Sequence, residues 1–90
     1  MTTGQDVSVH RQRLQSELRN ERKLAQLTQK QAARAMDWSL SKMLRIETGS
    51  VSISVTDLRV LLKYYNLGDK RRIEELIDLA RAAKIRRGSR

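Results

Sequence analysis

Ninety residues leave room for one small domain with one core, since domains run roughly 50 to 200 residues. Nineteen Lys and Arg against ten acids give a formal net charge of +9 and a pI near 10.9, a profile that suits a polyanionic partner without saying which one. The chain has no Cys, no apolar run near the roughly 20 residues of a membrane span and no signal-peptide core, so disulfides, thiolate chemistry and Cys-based zinc sites are excluded and a soluble, cytoplasmic protein is expected.

Residues 1–7 carry no periodic pattern and read as a flexible N-terminal arm. From Ser8, Val9, Leu14, Leu18 and Leu24 recur at helical intervals among Arg, Gln and Glu, which predicts a long first helix ending near Ala25 or Gln26 and forming the back of the domain. Leu27 to Gly49 then reads as two short helices hinged at Met36-Asp37-Trp38. Ala33 supplies the small side chain that a close helix crossing needs, and Asp37 stands where the turn requires a left-handed backbone, which Asp tolerates at modest cost. Thr28 and Ser39 are N-cap residues; Thr28 with Gln31 makes a capping box, and Ser39 with Lys42 does not. Ala32, Ala35, Met36, Met43 and Ile46 mark the inward faces, and Gly49 closes the second helix in the left-handed position.

The alternation Ser50-Val51-Ser52-Ile53 has no partner strand in the sequence and is read as a loop. Ser54, with Asp57 three positions on, opens a fourth helix through Leu58, Leu61, Leu62 and Tyr65, and Asn66 is its left-handed stop. Asp69 opens a fifth, with Ile73, Leu76, Ile77, Ala80 and Ala83 as one apolar stripe. Five helices without Pro make an all-α domain spanning 8–84, with its central motif at 28–48 and a basic C-terminal tail at 85–90.

The run Leu27-Thr28-Gln29, Ala33, the turn at Asp37, Ser39, and Arg45-Ile46-Glu47-Thr48-Gly49 resembles the Cro and phage-repressor-like helix-turn-helix family, also called the xenobiotic-response-element (XRE) type, over about Arg11 to Leu67. Asp37-Trp38-Ser39-x-Ser41-Lys42 followed by Arg45-Ile46-Glu47 looks most like its actinobacterial branch. In that branch such a domain usually precedes a longer effector region, which nothing after Arg87 resembles; a piece of a longer regulator and a short stand-alone one both stay open. The resemblance implies a compact five-helix, lambda-repressor-like DNA-binding fold whose second motif helix, 39–48, enters the major groove while the first crosses the backbone.

By the same resemblance, Ser39, Leu40, Ser41 and Arg45 fall on base-facing positions. Thr28, Gln29, Lys30, Lys42, Thr48, Ser50 and Ser52 fall at the DNA backbone. Arg45 can pair bidentately with guanine O6 and N7, or clamp a phosphate. Gln29 can contact phosphate and brace the second helix, or be a solvated helix-start residue. Leu40 departs from the family's usual polar residue and can pack on a thymine methyl; with Leu44, also apolar where a polar residue is usual, it can instead meet a protein. Arg22 and Glu47 resemble the family's internal ion pair, with two independent surface charges as the alternative. The loop 50–54 carries no Lys or Arg, so charge at that point must come from elsewhere; Lys84, Arg86, Arg87 and Arg90 are candidates.

Trp38 is read as filling the gap beneath the turn rather than stacking on a nucleotide, and Tyr65 as core with Tyr64 exposed. At 3% aromatic residues a single-strand stacking platform is not expected. His10 has no metal-binding companion, and with no Cys, glycine-rich phosphate loop or convergent acid pair, neither catalysis, cofactor nor metal is expected. Two function classes follow: a sequence-specific regulator of transcription on double-stranded DNA, expected to be bacterial and a homodimer on two half-sites, or an antitoxin-like or adaptor interaction module using Leu40 and Leu44. The stripe of the fifth helix beyond Leu79 serves either as the dimer seam or as core.

Overall fold

A computed structural model describes the backbone of residues 3–88 and the side chains of 9–84. Its five helices are α1 (Thr3–Leu24), α2 (Gln29–Met36), α3 (Leu40–Thr48), α4 (Val55–Tyr64) and α5 (Lys70–Gly88), with no strand among the described residues. Residues 50–53 are indeed a loop, with Ile53 buried in the core. Among the described residues no helix is long and apolar enough to cross a membrane.

Each of the first four helices ends in the same way, with a left-handed residue whose amide and the next one fold back onto the last turn. The left-handed residues are Gln26 (φ 60°), Asp37 (φ 60°), Gly49 (φ 84°) and Asn66 (φ 63°). The returning amides are Leu27 to the Arg22 carbonyl, Trp38 to Ala33, Ser50 to Arg45 and Leu67 to Leu62, at 2.9 to 3.2 Å. These bonds satisfy carbonyls that a helix end leaves open, and in three of the four an apolar residue follows the left-handed one and packs on the core. Helix starts are equally local. The Thr28 hydroxyl accepts from the Gln31 amide while the Gln31 side chain accepts from the Thr28 amide. Ser39 and Ser54 accept from Lys42 and Asp57 amides, and Asp69 from Arg71 and Arg72.

α1 and α5 pack against one another as an antiparallel pair, and α2, α3 and α4 close the other side of a single core. Leu18, Met43, Leu58, Leu61, Leu62, Leu76 and Ile77 are fully buried at its centre, each worth roughly 1.5 to 3 kcal/mol relative to exposure. Arg72 of α5 reaches across to α1, donating from Nε to Glu21 at 3.1 Å and from Nη2 to Glu17. Hydrogen bonding to Glu17 holds the guanidinium's pKa above its usual range.

Several expectations need correction. α1 begins at Thr3, so part of the segment read as an arm is helical, and the helix stops at Leu24 because Gln26 turns left-handed. Val9 and Leu24 are exposed, since they lie off the stripe that Leu14 and Leu18 define. Ala35 faces solvent, because the inner face of the short α2 is filled by Ala32 and Ala33. α5 continues to Gly88, through most of the segment read as a tail; Arg90 and the side chains of Arg86 and Arg87 lie outside the described residues. Ala80 and Ala83 are 1% and 5% exposed within the single chain. They let α5 approach α1 closely, and so belong to the core, not to a free seam.

Candidate nucleic-acid interface

α2 and α3 form the central pair, joined by Asp37-Trp38-Ser39. Ala33 is buried where the helices cross, and Trp38 is half-buried against the core beneath the turn. The two faces of α3 are sharply different. Met43, Ile46 and Glu47 point inward, while Leu40, Ser41, Lys42, Leu44, Arg45 and Thr48, together with the cap Ser39, are exposed.

A buried carboxylate holds α3 in place. Glu47, 1% exposed, accepts from Arg22 Nε at 2.7 Å and Nη2 at 3.1 Å, and from Gln29 Nε2 at 2.9 Å. Arg22 also donates from Nη1 to the Leu27 carbonyl at 2.9 Å. One network therefore ties the end of α1, the start of α2 and the end of α3, so the angle of α3 is set by charge-assisted bonds as well as packing. Arg19 adds a bond the sequence did not signal, from Nη1 to the Glu47 carbonyl at 2.8 Å. Nothing in the periodicity of α1 marks it, because the helix end that Arg19 meets lies 28 residues away in sequence. Tyr65 is buried with its hydroxyl lacking a partner among the described residues, and burial, then the nearby Glu47 carboxylate, push its pKa well above the usual phenol value.

Electrostatically the α2–α3 unit is one-sided. Between Thr28 and Gly49 stand four cations, Lys30, Arg34, Lys42 and Arg45, and two carboxylates, Asp37 and Glu47. Arg22 neutralises Glu47, and all four cations are exposed. Lys42 Nζ lies 4.7 Å from the Trp38 ring centroid, a cation–π contact that holds the ammonium beside the turn. The Arg45 guanidinium enters no intramolecular hydrogen bond or ion pair among the described residues. Thr48 Oγ1 lies 3.2 Å from Ser50 Oγ, and Ser52 is exposed in the loop beyond. Thr28 and Gln29 sit at the start of α2, the first occupied in its cap and the second in the Glu47 network.

The family model described as a helix-turn-helix domain matches residues 13–76. The chain belongs to that helix-turn-helix family. The match covers α2, α3 and α4 entire, with the second half of α1 and the first part of α5. No curated protein and no solved structure matches the chain. The helix-turn-helix is a DNA-binding architecture built on two helices joined by a short turn; α2 and α3 are such a pair, with α3 second. Among the described residues no group of His, Cys, Asp and Glu could hold a metal ion.

Proposed function

We propose that this helix-turn-helix domain is a sequence-specific, double-stranded DNA-binding regulator of transcription, of the XRE type and closest to its actinobacterial branch. The observation that carries the reading is α3 itself: one face is pinned by Glu47, Arg22 and Gln29, and the other presents Ser39, Leu40, Ser41 and Arg45 to solvent. A rigid, exposed, cationic helix is what readout of base edges requires, since discrimination depends on side chains held in register. In this reading Arg45 pairs with guanine and Leu40 packs on a thymine methyl. Thr28, Gln29, Lys30, Lys42, Thr48, Ser50 and Ser52 contact the flanking phosphates, Gln29 through its backbone amide because its side chain is committed to Glu47. The protein works in the bacterial cytoplasm as a homodimer on two half-sites.

The test is selection of duplexes from a random pool, followed by fluorescence anisotropy on the enriched and a scrambled duplex. An enriched motif is expected, and Arg45→Ala should cost roughly 1 to 3 kcal/mol on it and flatten the preference at one base pair. Equal binding of every duplex, lost together at moderate salt, would leave only the net charge at work.

A second reading rests on one specific observation: Leu40 and Leu44 are 44% and 40% exposed, one turn apart on the same outward face. An interaction module of the antitoxin or adaptor kind would use that face for a protein. Leu44→Ser separates the two, since it weakens a protein complex in this second reading and leaves sequence preference on DNA largely intact.

A further inference from the structure

The loop after α3 carries no cation of its own, yet the fold brings two to it from opposite ends of the sequence. Arg11, Gln15 and Arg19 recur every fourth residue along one stripe of α1, and that stripe follows the end of the recognition helix. Arg19 bonds the Glu47 carbonyl, and the Gln15 side chain presses on Gly49, where an added Cβ would fall 1.8 Å from Nε2. Arg11, one turn further on, borders a cleft of about 330 Å³ formed with Gly49, Ser50, Val51, Ser52, Ala83 and Lys84. Arg11 is steered there by a long bond from Nη2 to the Ala83 carbonyl, at 3.5 Å. None of the lining residues is acidic, and neither cation enters an ion pair among the described residues.

The cleft directly follows the C-terminal end of α3, on from Arg45 and the Thr48–Ser50 hydroxyl pair. A concave, acid-free pocket with two cations and two serine hydroxyls at its edge is suited to a tetrahedral dianion or monoanion, because guanidinium and ammonium groups make their strongest hydrogen bonds to such oxygens. We propose that it is a phosphate grip: Arg11 and Lys84 together neutralise one backbone phosphate of the DNA beyond the end of α3, with Ser50 and Ser52 donating to the same group. This rests on the DNA-binding reading above. The grip is sequence-independent and fixes the register in which α3 lies in the groove. It replaces the basic side chain that the loop itself lacks.

The test is a salt titration of binding to the selected duplex and to its scramble, by anisotropy, with Arg11→Gln, Lys84→Gln, the double variant and Arg11→Lys, each checked for native helicity by circular dichroism. One lost phosphate contact lowers the slope of log K against log salt by about 0.9. That decrease is expected in the double variant, with affinity falling by the same factor on both duplexes, a smaller decrease in each single Gln variant, and a wild-type slope for Arg11→Lys. Lys84→Gln keeps the test open if loss of the Arg11 bond to Ala83 loosens the fold. A folded double variant that binds with the wild-type slope overturns the grip and leaves the DNA reading standing. A wild-type protein that binds no duplex overturns the DNA reading and the grip with it.

Discussion

Replacing Glu47 with Ala removes the acceptor of three hydrogen bonds, two from Arg22 and one from Gln29, and leaves the buried Arg22 side chain, 10% exposed, without a counter-charge. Breaking a buried pair on one side costs roughly 3 to 5 kcal/mol, because the surviving charge stays desolvated. Arg22 keeps its bond to the Leu27 carbonyl, so the lower end, about 3 kcal/mol, is expected. A 90-residue domain has a total stability of roughly 5 to 13 kcal/mol, so between about a quarter and three fifths of it is at stake. Urea unfolding followed by circular dichroism measures the loss as a lower midpoint at unchanged slope. Glu74→Ala is the control: its ion pair with Arg59 is long, 3.8 Å, and both partners are more than half exposed, so it should change stability by no more than about 0.5 kcal/mol. Equal effects of the two substitutions would refute the claim that Glu47 is the organising charge. Arg22→Met with Glu47→Leu should recover most of the loss, since replacing both members of a buried pair by apolar groups is often neutral or stabilising. Affinity for DNA should not recover with it, because the bonds that orient α3 and hold Gln29 are gone.

Tyr65→Phe removes a buried hydroxyl that has no partner among the described residues and should raise stability by about 1 kcal/mol, or roughly 4 to 8 °C in melting temperature; an unchanged or lower melting temperature would show that the hydroxyl is bonded after all. The same burial raises the folded-state pKa of Tyr65 above its unfolded value, so its contribution is fully present below about pH 10 and is lost as pH rises beyond it. Wild-type melting temperature should therefore fall at alkaline pH by more than that of Tyr65→Phe. Gly49→Ala forces a side chain into a left-handed residue and against Gln15; a loss of roughly 1 to 2 kcal/mol from the backbone alone is expected, and Gln15→Ala should relieve only the steric part, as a double-mutant cycle in urea would read. Gln26→Gly should gain about 1 kcal/mol by relaxing the same conformation at the end of α1, measured as a higher urea midpoint, and a loss would show that Gln26 is not strained.

What the chain determines locally is legible in it. The left-handed stops at Asp37, Gly49 and Asn66 and the caps at Thr28, Ser39, Ser54 and Asp69 follow from short-range hydrogen bonding, which needs only neighbouring residues. The inward residues of α4 and α5 follow from helical periodicity. Gln26 was not legible, because Gln carries no left-handed preference; the apolar Leu27 after it was the only sign. Val9, Leu24 and Ala35 misled for a related reason: an apolar residue on a helix does not say whether a neighbour will cover it, and that depends on how long the facing helix is and where it crosses. Tertiary structure alone decided that Ala80 and Ala83 are consumed by α1, that Arg72 spans to Glu17 and Glu21, and that Arg11 and Lys84 meet at the loop after α3. Such pairings join residues more than fifty positions apart, and they exist only once α1 and α5 have packed antiparallel.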